Sequence, residues 1–259
     1  MKQILLTNDD GFDAAGIMAL QNAIKSQLKN VRILTIAPNR QKSACSHSLS
    51  LHNPLHLIKI NDDFYRLEDG TPADCVYIGL AKLFDTAPDL IISGINHGCN
   101  VAEDISYSGT CAGAKEGALQ GIQSIAISQF YDGDSLGKYG YDLACKISIE
   151  IIKKILNAKL KIPKKEFLNL NIPAVSKENY KGLKITKMGR KSYNTAIKEA
   201  IDPRGREYIW IGEPCNECES KNDLNTDIGA ILADYASLSP IKFDATANES
   251  LGDLQKCLK

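Results

Sequence analysis

The stretch whose reading decides the fold is Ile4-Leu5-Leu6-Thr7-Asn8-Asp9-Asp10-Gly11. A short apolar run closed at once by Asn, Asp and Gly reads as a buried strand that ends in a turn. Just outward, Gly16 to Lys29 places Ile17, Leu20, Ala23, Ile24 and Leu28 at helical spacing. Val31 to Ala37 is a second apolar run, stopped by Pro38. A strand, a helix and a strand, with no polar alternation in the strands, imply a parallel sheet covered on both faces.

The unit recurs along the chain. Asp74 to Leu83 predicts a helix, Leu90-Ile91-Ile92-Ser93 a strand, residues 111–120 a helix and Ile125 to Ser128 a strand. Asp142 to Asn157 is the clearest amphipathic helix, and Phe167 to Ile172 a last strand before Pro173. Strands alternating with helices over this length predict a doubly wound three-layer α/β/α sandwich, Rossmann-like, over residues 1–174. From 175 to 259 the segments shorten and charge rises. Leu183 to Thr186 and Tyr208 to Ile211 read as strands of a smaller, β-rich appended region belonging to the same structural unit.

Composition removes several classes of function. The chain has 259 residues, with 31 Lys and Arg against 31 Asp and Glu, so no overall basic charge favours a nucleic-acid polymer. No stretch reaches the roughly 18 apolar residues of a membrane helix, and the short N-terminal apolar run is no signal-peptide core. A cytoplasmic protein without a membrane partner is the expectation. The eight cysteines are scattered, which favours reduced core fillers over a disulfide framework. Cys215-x-x-Cys218 has the spacing of half a zinc ribbon, but no second pair or later histidine completes it.

Ligands of open parallel sheets bind beyond the carboxyl ends of the strands. Three loops fall there. In the first, the adjacent Asp9 and Asp10 repel one another; a divalent cation would relieve that repulsion, whereas a plain helix-capping turn uses the same residues. Both readings stand on these residues alone. Asn8 takes the place of the nucleophilic aspartate in the Asp-x-Asp-Gly motif of haloacid-dehalogenase-type phosphatases, which leaves attack by water as the better fit. The second loop, Ser93 to Asn100, carries Asn96 and Asn100 as neutral oxygen donors, glycines that permit a close ligand approach, and His97, either a base or a solvated side chain. The third, Tyr107-Ser108-Gly109-Thr110, runs into a helix and offers hydroxyls and backbone N–H groups to an anion, or an ordinary Ser/Thr cap. A fourth loop, Asn39 to Ser43, adds Arg40, Lys42 and the Ser43 hydroxyl. The phosphate-loop and dinucleotide glycine fingerprints are absent, which disfavours NTPases and dinucleotide-dependent enzymes.

In this order and spacing the loops resemble the SurE family of survival-protein 5′/3′-nucleotidases. The resemblance rests on Asn8-Asp9-Asp10-Gly11, Ala37-Pro38-x-Arg40-x-x-Ser43, Gly70-Thr71-Pro72-x-Asp74, Ser93-Gly94-Ile95-Asn96-x-Gly98-x-Asn100 and Tyr107 to Thr110. It continues through Ala112-x-Ala114-x-Glu116-Gly117, Asn169-x-Asn171, Asp202-Pro203-Arg204-Gly205, Thr226-Asp227 and Tyr235 to Pro240. It implies a metal site of Asp9, Asp10, Ser43 and Asn96 holding one divalent cation per subunit, Mg²⁺ or Mn²⁺. It further implies phosphate release from 5′- and 3′-nucleotides and short polyphosphate, and homodimers or homotetramers built by exchange of C-terminal segments. Asp9 and Asp10 are then the candidate catalytic groups, and Asn96, Ser108, Gly109 and Thr110 the candidate phosphate contacts. His47 departs from the family pattern, where Asn is common. A nucleotide-binding regulator without catalysis and a metal-dependent nucleotide-sugar transferase are the competing functions, and both lack phosphate release.

Overall fold

The computed structural model describes residues 1–131, 135–193, 196–212 and 216–258. Its first half is β1 (Lys2–Thr7), α1 (Ala15–Gln27), β2 (Val31–Pro38), β3 (His56–Asn61), β4 (Phe64–Glu68) and α2 (Pro72–Ile78). There follow β5 (Leu90–His97), α3 (Gly109–Leu119), β6 (Ser124–Gln129), α4 (Ser135–Tyr139), α5 (Asp142–Leu156) and β7 (Glu166–Ile172). The remainder holds β8 (Leu183–Ile185), β9 (Lys191–Tyr193), β10 (Ile197–Ile201), β11 (Glu207–Ile211), β12 (Asn216–Cys218), α6 (Asp227–Leu232), β13 (Ala236–Lys242) and α7 (Leu251–Cys257).

Nine strands form one sheet in the order β3-β4-β2-β1-β5-β6-β7-β13-β8. From β4 through β7 every neighbouring pair is parallel, while β3 and β13 run antiparallel to β4 and β7. The doubly wound expectation therefore holds. Side-chain alternation in β1 explains the uninterrupted apolar run: Ile4 and Leu6 pack with Ile17, Leu20 and Ile24 of α1 and with α5, whereas Leu5 packs with Cys75 and Val76 on the α2 side. Each face of the strand has its own helical cover, so both need apolar residues.

The chain leaves β1 for β2 on one side and later returns to place β5 on the other. That reversal makes the β1–β5 boundary the topological switch point, where the crevice beyond the strand ends is open to a ligand. The appended region gives β8 and β13 back to the large sheet and keeps two small antiparallel sheets, β10–β11 and β9–β12. No described helix is long and apolar enough to cross a membrane. Every cysteine among the described residues is free; Cys215 lies outside them, so the Cys215-x-x-Cys218 spacing has no structural reading here.

Candidate active site

Asp9 and Asp10 follow β1 directly and sit at the switch point. Asp9 is 4% exposed. Its Oδ1 accepts a hydrogen bond from the Thr110 hydroxyl in the first turn of α3. Burial pushes its carboxyl up to about 6, helped by the neighbouring Asp10 charge and opposed by the Thr110 bond. Burial raises the Asp10 carboxyl too, against the His97 backbone N–H that donates to its Oδ2 at 2.9 Å. Among the described residues no lysine or arginine pairs with either acid.

Helix α3 reaches Asp9 because residue 109 is glycine. A Cβ on Gly109 would lie 2.8 Å from the Asp9 Cβ and 2.9 Å from its Oδ2. Ser108 caps the helix, its Oγ accepting from the Cys111 N–H at 2.9 Å, and it lines the space in front of the helix N-terminus. The thiols of Cys45 and Cys111 near this acid are pushed by burial to about 11 and about 12, and so stay neutral.

The loop after β2 is fastened over the acids. The Lys42 N–H donates to the Asp9 carbonyl at 2.7 Å, and the Ser46 N–H to the Tyr107 carbonyl at 2.9 Å. Ser43 is exposed between those anchors, its Oγ accepting from the Gln41 amide at 2.9 Å. Arg40 and Lys42 turn away: Arg40 pairs with Asp69 at 2.8 Å and Lys42 Nζ donates to the Asp69 carbonyl at 3.1 Å. Farther along, His47 Nε2 meets Glu116 Oε2 at 2.9 Å, and Glu116 is only 3% exposed.

Asn96 enters from β5, where the register with β6 shifts between Ser93 and Asn96. Its Nδ2 donates to the Gly98 carbonyl at 2.8 Å, which turns the amide by a local bond. The glycine expectation for this loop needs correcting at Gly94. A Cβ there would come within 2.2 Å of the Ile127 carbonyl oxygen, so this residue serves the close approach of β6 and not of a ligand. His97 is held by the backbone bond to Asp10 and by stacking of its ring on Tyr131 at 4.0 Å.

A cavity of about 210 Å³ lies over Asp9, lined by Asp9, Ser43, Asn96, Asn100, Asp104 and Ser108 among others; Asp10 is not part of its lining and is tied to it through His97. The cavity gathers residues from four of the loops singled out in the sequence. Thr110 is fully buried beneath it, with its hydroxyl committed to Asp9.

Asn100, read from sequence as an oxygen donor, and Asp104, given no role there, both belong to this cavity. Asn100 is clamped at the ends of β6 and β7: its N–H donates to Asn171 Oδ1 at 2.8 Å, its Nδ2 to Ser128 Oγ at 2.7 Å, and its carbonyl accepts from Asn169 and Asn171. The Asn-x-Asn at the end of β7 was the available signal. Asp104 accepts from Lys191 Nζ and, at 2.8 Å, from the Tyr193 hydroxyl of the appended region. Asp227 of α6 accepts from the backbone N–H of Ala102 at 2.9 Å and of Gly189 at 2.8 Å, tying the same loop to that region.

Among the described residues no three His, Cys, Asp or Glu side chains group to hold a metal. The donor set at issue is of another kind: two carboxylates, a hydroxyl and an amide oxygen. All are hard oxygen donors, and the adjacent acids, raised by burial and without a basic partner, are left with charge that a divalent cation would balance. The donors fit such an ion.

A doubly wound sheet with paired acids at its switch point and a helix N-terminus facing them defines a class of α/β protein that acts on small anions. The family model described as Survival protein SurE matches residues 4–195. The chain belongs to the SurE survival-protein family. It is similar to proteins named 5′-nucleotidase SurE from Campylobacter fetus subsp. fetus, 51% identical over 98% of this chain and 99% of that one, and from Campylobacter hominis, 51% identical over the whole of both. Among solved structures, the SurE protein from Aquifex aeolicus superposes with a TM-score of 0.82 at 39% identity, covering 99% of this chain and 100% of that one.

Proposed function

We propose that this chain is a divalent-metal-dependent phosphomonoesterase that hydrolyses nucleoside monophosphates to nucleoside and phosphate. 5′-Nucleotides are the first substrates, with 3′-nucleotides and short polyphosphate beside them. The observation that carries the reading is the buried Asp9, placed against the N-terminus of α3 in a cavity shared with Ser43, Asn96 and Ser108. The 5′-nucleotidase name of relatives half identical to it over their full length supports the same substrate class.

Asp9, Asp10, Ser43 and Asn96 would hold the cation. When bound, Mg²⁺ or Mn²⁺ supplies Lewis-acid polarisation of a phosphoryl oxygen and acidifies a water. The chain's own groups do the remaining work. The Ser108 hydroxyl and the backbone N–H groups of Gly109 and Thr110, in the first turn of α3, orient the phosphate oxygens and stabilise charge as it builds on them. Thr110 fixes Asp9 through Oδ1, leaving Oδ2 to accept the proton of the attacking water. Asp10 shares the ion, oriented by the His97 N–H. The apolar, exposed hairpin β10–β11 suits a subunit contact of a homodimer or homotetramer.

The direct test is release of inorganic phosphate from AMP, GMP, their 3′ isomers and tripolyphosphate, with Mg²⁺, with Mn²⁺ and with chelator. Nucleotide-dependent release that chelator abolishes is expected. Tight AMP binding with no release would favour a regulator, and undiminished release in chelator would remove the metal from the reading.

A further inference from the structure

The cavity over Asp9, at about 210 Å³, is smaller than the roughly 300–1,000 Å³ of pockets that enclose a whole small molecule. It has room for a phosphate and part of a sugar, so the base of a nucleotide must lie on its rim. A larger cavity of about 660 Å³ shares Ser108 with it and is lined on that side by Ser46 and Ser106, which a strap joins. In that strap the Ser46 N–H bonds the Tyr107 carbonyl at 2.9 Å and the Ser46 hydroxyl bonds the Ser106 carbonyl at 2.7 Å.

The rim over Asp9 carries two rings, His97 and Tyr107. His97 directly follows Asn96, and Tyr107 directly precedes Ser108, so each stands one residue from a proposed phosphate contact. Tyr107 is 59% exposed, an aromatic ring left in water beside a polar cavity. Its backbone is held at both ends, the N–H donating to the Asp104 carbonyl at 3.0 Å and the carbonyl accepting from Ser46. His97 is exposed too, and its ring is backed by Tyr131 at 4.0 Å with 23° between the planes. Tyr131 in turn meets Tyr141 edge-on at 6.1 Å. A planar ring backed as His97 is loses little freedom when a second planar group stacks on it, and at Tyr107 the fixed backbone holds the ring's root in place.

Resting on the nucleotidase reading, we infer that His97 and Tyr107 form the nucleobase subsite, holding the base of a nucleoside monophosphate by stacking while its phosphate lies over Asp9. Stacking uses the face that every base possesses, so this rim selects for a base without reading which base it is.

The test compares AMP with ribose 5-phosphate, which has the phosphate and sugar but no base. Release of phosphate from AMP by the unaltered protein is measured first; its absence would sink the nucleotidase reading before any variant is made. With that activity present, Tyr107→Ala and His97→Ala are each expected to raise KM for AMP by about tenfold, the size of a lost stack, with kcat largely kept. KM for ribose 5-phosphate should move by less than about threefold in the same variants. Tyr107→Phe, which keeps the ring and loses the hydroxyl, should return KM for AMP close to that of the unaltered protein. Equal rises for both substrates, no rise for AMP, or a Tyr107→Phe variant as impaired as Tyr107→Ala would overturn the assignment.

Discussion

Two apolar triplets of similar chemistry, Ile4-Leu5-Leu6 in β1 and Ile209-Trp210-Ile211 in β11, meet very different surroundings. The first is 0% exposed at each residue, whereas the second is 62%, 67% and 86% exposed. β1 has β2 and β5 along its edges and a helical layer on each face. Among the described residues β11 pairs with β10 alone, and both strands are exposed throughout. An apolar run therefore announces a strand, but only the neighbours decide whether that strand becomes core. Buried β1 can deliver a fixed pair of acids to its end, while the hairpin leaves its apolar side chains exposed.

The sharpest way to break the comparison is at the site that β1 delivers. Asp10→Asn should lower AMP turnover by about three orders of magnitude at saturating Mn²⁺, since a charged ligand of the proposed ion is worth several kcal/mol. Near-normal turnover would remove Asp10 from the reaction. Next comes the strand itself: Leu5→Ala should cost about 2–5 kcal/mol in denaturant unfolding, because a cavity opens between β1 and the α2 layer. A change comparable with that of an exposed residue would contradict the packing of Leu5 against Cys75 and Val76.

Asp9 gives an effect of opposite sign. Its carboxyl is raised from 3.8 to about 6 by burial, so the folded chain holds that proton more firmly than the unfolded chain. The stability gained is fully present below about pH 4 and is lost as pH rises through about 6. Without metal, Asp9→Asn should therefore stabilise the protein at pH 8, by up to about 3 kcal/mol, and hardly at all at pH 4. Thermal melts in chelator at both values check this, and destabilisation at pH 8 would refute the account of Asp9 as a charge buried at a cost. The smallest expected effect is in the hairpin. Ile209→Ser with Trp210→Ser should change single-chain stability by less than about 0.5 kcal/mol per site, as at ordinary surface positions. The same pair should reduce the mass measured by light scattering if the hairpin joins subunits, and an unchanged mass would exclude it from the contact.

Much of the central sheet was legible because its strands are apolar without interruption and its helices are periodic. The hairpin β3–β4 was not, since β3 is an edge strand with mostly exposed residues and gives neither signal. β13 was hidden for another reason: Pro240 argues against a strand inside a sheet. β8 pairs only with Ala236 to Leu238, so Pro240 lies past its end, where a missing N–H breaks no bond on that side. At the site, Asp9, Asn96 and Ser108 could be gathered from sequence because they stand at strand ends or open a helix, whereas Ser43 joined them only through the family resemblance. Asn100 was legible as an oxygen donor, Asp104 was not, and what fixes either one could not be read: their partners, Asn171 and Lys191, lie 71 and 87 residues away, and no local pattern encodes such a pairing.

The bond from Asp227 to the Ala102 N–H spans 125 residues of chain. It makes the loop that lines the cavity through Asn100 and Asp104 a joint product of two distant stretches of the polypeptide. During synthesis the acids of β1 emerge first, yet the loop facing them gains this anchor only after α6 has been made. A nascent or C-terminally shortened chain would thus carry its acidic pair before it carried a finished cavity, and its reactivity would come last.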